Sequence, residues 1–153
     1  MFKKIVAALD GSDCSDRAFD IALRLAAGDG AELDVISVVD PIVMAGSAPP
    51  SPAMDVLLGD MERDARHLVE QAAVKAKAAG LRAGCEVRLG VPFDEIVRYA
   101  KRGGADAIVM GTHGRSGIAH FFMGSVAESV LREAPCPVIV VREKQGVAEP
   151  ATS

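Results

Sequence analysis

The chain alternates between short apolar runs and longer segments in which apolar residues return every three or four positions. Short runs rich in Val, Ile, Ala and Leu are typical of strands that helices cover on both faces. A three-to-four spacing is typical of amphipathic helices. The pattern predicts five strands, at residues 3–9, 33–39, 83–89, 107–110 and 138–142. It predicts four helices between them, at about residues 13–27, 55–79, 92–102 and 125–133.

Strands and helices therefore alternate along the whole chain. Each connection between successive strands is long enough for a right-handed crossover, which parallel strands require. The order predicts an α/β fold with one doubly wound, Rossmann-like parallel sheet of five strands. At 153 residues the chain is the size of a single domain. Two strand orders are common in such sheets, and the pattern alone leaves both open.

Two segments follow neither pattern. Residues 41–54 include four prolines, a glycine and two serines within their first twelve positions. Such a composition opposes both helix and strand, so we predict a mobile loop there. Residues 144–153 are predicted to form a flexible tail, which leaves residues 1–143 as the folded domain.

Composition narrows the possible partners. The 17 basic residues are outnumbered by 21 acidic ones, which gives a net charge of −4. A general nucleic-acid-binding surface is therefore not expected, and any bound phosphate must be held locally. No apolar run reaches the length of a signal or membrane-spanning segment, so the predicted location is the cytoplasm. The cysteines at 14, 85 and 136 form no C-x-x-C pair and are interpreted as reduced structural thiols.

The stretch with the most distinctive chemistry follows the fourth strand. Gly111 ends that strand, Gly114 lies in the loop behind it, and Gly124 precedes Ser125 at the start of a helix. Glycine permits positive φ and lets backbone N–H groups approach an anion closely. The helix adds unpaired N–H groups and the positive end of its dipole. We predict a phosphate cradle, with Ser125 also capping the helix.

The spacing G-x2-G-x9-G-[ST] of these residues resembles the nucleotide-binding signature of the universal stress protein family. The segments KKIVAALDGSDCSDRAFDIAL and PCPVIVVRE are also similar to this family, so the resemblance covers about the whole chain. The resemblance implies strand order 3-2-1-4-5 and dimers that pair through the last strand. It also implies an adenine nucleotide as the ligand, with ATP as the first candidate. Mg2+ is a candidate companion of the nucleotide.

In that strand order, strands one and four are neighbours at the reversal point of the sheet. Their carboxyl ends carry Asp10 and Gly111, so both loops are expected to border one crevice. Asp10 would accept hydrogen bonds from sugar hydroxyls or help to hold Mg2+; equally, it would bond the amides of its own turn. His113 and Arg115 would add hydrogen bonds or charge to phosphate, or remain solvated. The resemblance implies that Val38 contacts adenine through its backbone.

The nucleotide-binding residues predicted in this way surround the ends of three strands and the start of the last helix. They are Leu9, Asp10, Val38, Met110, Gly111, His113, Gly114, Arg115, Gly124, Ser125, Val126 and Ala127. No catalytic residue and no metal-ligand set is assigned, since the three histidines share no ligand spacing.

Three functions remain open. The leading hypothesis is a protein that binds ATP as a regulatory ligand in a stress response and hydrolyses it slowly or not at all, since no base is evident. The second is a nucleotide-hydrolysing or adenylating enzyme on a related fold. Such enzymes carry S-G-G-x-D-S after the first strand, whereas residues 10–15 read DGSDCS. The third is a nucleotide-free family member that acts through protein contacts.

The last strand also predicts an assembly. Residues 138–141 read VIVV, and no charge interrupts this run. In order 3-2-1-4-5 the strand lies at an edge, where unpaired backbone groups favour association. We predict a homodimer in which two copies of this strand pair antiparallel about a two-fold axis.

Overall fold

The computed structural model describes residues 1–42, 46, 49–113 and 123–143. Its strands are β1 Lys4–Ala8, β2 Glu32–Val39, β3 Ala83–Leu89, β4 Ala107–Gly111 and β5 Val138–Val141. Its principal helices are α1 Asp13–Asp29, α2 Pro52–Ala78, α3 Pro92–Gly103 and α4 Ser125–Glu133. The five strands form one parallel sheet in the order β3-β2-β1-β4-β5, which confirms the predicted fold.

Strand β1 occupies the middle of the sheet. It pairs with β2 on one side, where Ile5 lies opposite Leu33, and with β4 on the other, where Ile5 lies opposite Ala107. Val6 and Ala7 point to opposite faces, and both are fully buried. The apolar run of β1 predicted a strand with helices on both faces of the sheet, and the structure has a helix layer on each face.

The two layers divide the core. On one face, Phe19 of α1 and Val69 of α2 pack with Ile5 and Ala7. On the other face, Ile96 of α3 and Val130 of α4 pack with Val6, Ala8 and other residues of β1, β2 and β4. Among the described residues, no helix has both the length and the apolar character needed to cross a membrane.

The predicted loop at residues 41–54 extends too far at both ends, because residues at each end are helical in the structure. Helix α2 begins at Pro52, because the Ser51 side chain caps it by accepting the N–H of Met54 at 3.2 Å. A proline at the first helical position lacks only an N–H that would have no intrahelical partner, so Pro52 starts a helix instead of breaking one. Pro41 and Ile42 are also helical. Residues 43–45 and 47–48, and the predicted tail at 144–153, lie outside the described residues.

A charged cluster that sequence reasoning did not anticipate links β1, β2 and α3. Asp34 is 5% exposed; its Oδ2 lies 3.0 Å from Lys4 Nζ and accepts a 2.9 Å hydrogen bond from the Tyr99 hydroxyl. The hydrogen bond to Asp34 raises the pKa of Lys4, partly offset by burial. Burial, followed by the bond to Asp34, raises the pKa of Tyr99. Gly84 leaves room for the carboxylate, since a Cβ there would lie 2.7 Å from Asp34 Oδ1.

Candidate functional site

A cavity of about 300 Å³ opens at the carboxyl edge of the sheet, between the ends of β1 and β4. This is the point where the strand order reverses, and open α/β sheets bind ligands there. The volume lies at the lower end of the range for small-molecule sites. The two loops that carried Asp10 and Gly111 in the sequence border this one cavity.

Ten of the twelve predicted site residues line the cavity. They are Leu9, Asp10, Val38, Met110, Gly111, His113, Gly124, Ser125, Val126 and Ala127. Gly114 and Arg115 lie outside the described residues. The structure thus brings the described members of the set together, and their contacts with a ligand stay a prediction.

Six further lining residues were missed: Ala8, Ser15, Ile36, Pro92, Ile96 and Thr112. Ile36 could have been found, because residues two apart on a strand share a face and Val38 had been singled out. Ser15 stands on the first turn of α1, and Ile96 on α3, so both reach the cavity only through tertiary packing. The sequence carries no local signal for that.

The loop after β1 is held by its own hydrogen bonds. Asp10 Oδ1 accepts the N–H of Ser12 at 2.9 Å, and the Asp10 N–H donates to Ser15 Oγ at 3.3 Å. Ser12 in turn caps α1, since its Oγ accepts the N–H of Ser15 at 3.2 Å. Asp10 therefore bonds an amide of its own turn, as one of its two interpretations expected, and it also lines the cavity.

The start of α4 supplies hydrogen-bond donors. Its N-cap is Gly124, which corrects the prediction that Ser125 caps the helix; Ser125 is the first helical residue. The first intrahelical bond runs from the N–H of Glu128 to the Gly124 carbonyl, at 3.0 Å. Ahead of it, the N–H groups of Ser125, Val126 and Ala127 donate to no described residue. Because these three N–H groups lack a partner in the described part of the chain and stand at the positive end of the helix dipole, this wall of the cavity is suited to an anion.

Two signature glycines are required for space and not for positive φ. Gly124 has φ −61°, and Gly111 is not among the described glycines with positive φ, so that expectation was wrong for both. A Cβ on Gly124 would lie 2.8 Å from the Thr112 carbonyl oxygen, and one on Gly111 would lie 2.6 Å from Cys14 Cβ. The missing side chains let the start of α4 and the start of α1 approach the end of β4.

Fold and site together define an α/β domain with a cavity at the reversal point of its sheet. The chain belongs to the universal stress protein family, because the model of the "Universal stress protein family" matches residues 1–142. A relative is universal stress protein MJ0531 of Methanocaldococcus jannaschii, which is 36% identical over 143 residues, covering 94% of this chain and 84% of that protein.

Solved structures agree with this assignment. Universal stress protein UspA from Lactobacillus plantarum superposes with a TM-score of 0.80 at 29% identity, over 92% of this chain and 97% of that one. A universal stress protein crystallised in complex with cAMP superposes with a TM-score of 0.67 at 30% identity, over 92% of this chain and 97% of that one.

Proposed function

We propose that the chain binds an adenine nucleotide in the cavity between β1 and β4, as a regulatory ligand in a stress response, with ATP the first candidate. The observation that carries the proposal is the row of N–H groups at the start of α4 that have no partner among the described residues and that border a cavity at the reversal point of the sheet. The cAMP complex of a relative at 30% identity supports the choice of adenine.

The lining divides into parts that suit the parts of a nucleotide. Ile36, Val38, Ile96 and Met110 offer an apolar surface on which a base would stack. The amides of Ser125 to Ala127 would hold phosphate oxygens. Asp10 has one carboxylate oxygen committed to its turn, which leaves the other for ribose hydroxyls or for Mg2+.

Chemistry on the nucleotide is proposed to be slow or absent. Asp10 is the only Asp or Glu among the described lining residues, and its Oδ1 already accepts a turn amide. Among the described residues, no group of three His, Cys, Asp or Glu side chains could hold a metal ion, so Mg2+ would come with the nucleotide. The protein would then respond to the nucleotide and not consume it.

Two further parts of the proposal concern assembly and location. The edge strand β5 leaves Val138, Ile139 and Val140 partly exposed, which favours pairing with a second copy. The cytoplasm stays the predicted location, and protein partners are unassigned.

The test is calorimetry of the purified protein with cAMP and with ATP, each with and without Mg2+, with phosphate release followed in the same samples. Gly124→Val should abolish binding, because its Cβ would push the start of α4, with its N–H groups, away from the Thr112 carbonyl. Gly59→Val, at a helical glycine with nothing within 4 Å of a Cβ, is the matched control and should bind like the wild type.

If the Gly124 variant and the wild type bind the nucleotide with equal affinity, and circular dichroism shows that both are folded, the proposed role of the cradle in binding is refuted. Rapid phosphate release would favour the enzyme hypothesis instead.

A further inference from the structure

Thr112, the residue directly after β4, is fixed from several sides. Its N–H donates to the Val141 carbonyl at 2.9 Å, and its carbonyl accepts the N–H of Gly124 at 2.7 Å. The residue is 7% exposed. Its backbone thus joins the end of β5 to the start of α4, and its side chain has little freedom to turn.

The Thr112 hydroxyl lies between two side chains. Oγ1 is 3.0 Å from Nδ1 of His113 and 3.8 Å from Sγ of Cys14. The backbone of His113 is held as well, because its carbonyl accepts a 3.4 Å hydrogen bond from Ser12 Oγ. The hydroxyl carries one hydrogen, so it either donates to Nδ1 or accepts from it.

The other ring nitrogen of His113 is unsatisfied. Nε2 is shielded from solvent and has no hydrogen-bond partner in the part of the chain that the structure describes, although His113 lines the cavity. A buried polar atom without a partner calls for an unseen one. A phosphate oxygen of a ligand in the adjoining cavity would suit this role, and such an oxygen accepts and does not donate. Nε2 can meet it only when it carries the hydrogen.

We infer that Thr112 is a positioning residue whose hydroxyl donates to His113 Nδ1 and so keeps the ring hydrogen on Nε2. The ring then presents an N–H to a phosphate oxygen of the ligand. Both the contact with the ligand and the assignment of the ring hydrogen to Nε2 rest on the proposed function, but the ring state can be measured without any ligand. Neither the glycine signature nor the helix start requires a hydroxyl at this position.

Ring state can be read directly from the protein with ¹⁵N-labelled histidine, by long-range ¹H–¹⁵N correlation spectra at a pH where the rings are neutral. His113 should show the Nε2–H pattern, while the exposed His67 on α2 serves as the reference for an unconstrained ring. Thr112→Val keeps the side-chain shape and removes the donor, so His113 should shift to a mixture of tautomers. Thr112→Ser should restore the wild-type pattern.

Affinity gives the second measurement. Loss of one preorganised hydrogen bond predicts that Thr112→Val binds cAMP or ATP about threefold to tenfold more weakly, with recovery in Thr112→Ser. Adding the nucleotide to the wild type should also move the Nε2 resonance.

An Nδ1–H pattern in the wild type would overturn the inference, as would a valine variant with unchanged ring pattern and affinity. If the Nε2–H pattern depends on Thr112 but neither nucleotide binds, the ring-positioning role is supported and the proposed function fails. If the Thr112→Val variant does not fold, Thr112→Ala takes its place, and its ring pattern and affinity are compared with those of Thr112→Ser.

Discussion

Gly111 illustrates how one absent methyl group positions two elements. A Cβ there would meet Cys14 Cβ at 2.6 Å, its carbonyl carbon at 3.0 Å and the backbone nitrogen of Ser15 at 3.1 Å. Two of these three atoms belong to the backbone and cannot swing aside. The start of α1, which carries the capped turn around Asp10, therefore lies against β4 only while residue 111 has no side chain.

Gly111→Ala should destabilise the fold by about 1–3 kcal/mol, since it inserts a methyl group where there is no space. Gly59→Ala is the matched control, because a Cβ at that position in α2 meets nothing within 4 Å. It should stabilise the protein by about 0.5–1 kcal/mol, through the better helix propensity of alanine. Urea unfolding at neutral pH measures both, and a destabilisation of similar size in the two variants would refute the close-approach explanation.

At the scale of elements, the Lys4–Asp34–Tyr99 cluster ties α3 to the two strands beneath it. Tyr99 of α3 and Lys4 of β1 both bond the same buried oxygen of β2. Burial raises the pKa of Tyr99 above its usual value in the folded chain. Asp34 raises it further, because ionisation of Tyr99 would bring a second negative charge next to that carboxylate.

Alkaline pH should therefore weaken the protein through this cluster. The pKa of Tyr99 is higher in the folded chain than in the unfolded chain. The stability that this difference contributes is fully present below about pH 10 and is lost as the pH rises through the folded-state pKa. Tyr99 is the only tyrosine, so absorbance of tyrosinate reports it directly. The native protein should ionise at higher pH than the urea-unfolded chain, and in Tyr99→Phe the free energy of unfolding should fall less steeply above pH 10. Coincident titrations of native and unfolded chains would contradict this.

The sequence predicted these elements well because their periodicities are local. The run through Val6 and Ala7 and the three-to-four spacing of α1 needed no tertiary information. Pro52 was misread, because whether proline starts or breaks a helix depends on the cap before it. The charged cluster was missed, because Lys4, Asp34 and Tyr99 meet only once the sheet and α3 are assembled.

The candidate site was predictable in part for the same reason. The spacing of Gly111 and Gly124 and the convergence of two strand ends located the crevice. The physical role of those glycines was not accessible from the sequence, since their close neighbours Cys14 and Thr112 are set by tertiary packing.

At the scale of the molecule, β5 leaves one edge of the sheet open. The Pro137 carbonyl accepts a hydrogen bond from Ile108 of β4, and the Val141 carbonyl accepts one from Thr112, directly after β4. The alternation of the strand therefore directs the backbone groups of Val138 and Val140 outward. These groups would pair with a second copy in the proposed homodimer. Val141 itself is 5% exposed, so a change of its side chain would disturb the core before it reached the interface.

Val140→Pro tests the dimer. It removes an N–H that points away from β4, and proline is tolerated on an edge strand, so the fold should survive while the dimer is lost. Val140→Thr keeps the N–H and the β-branched shape and should remain dimeric. Light scattering should give twice the mass of one chain for the wild type and the threonine variant, and a single-chain mass for the proline variant. A monomeric wild type at micromolar concentration would exclude the interface.

The central position of β1 also fixes the order in which the sheet can be completed during synthesis. The N–H of Lys4 donates to the carboxylate of Asp106 across 102 residues of sequence, at the start of the β1–β4 pairing. After β2 has emerged, roughly 70 further residues must be translated before β4 is available, which takes about 4 to 14 s at 5–20 residues per second. Throughout that interval β1 has one unpaired edge, which favours contacts with other chains until β4 is available.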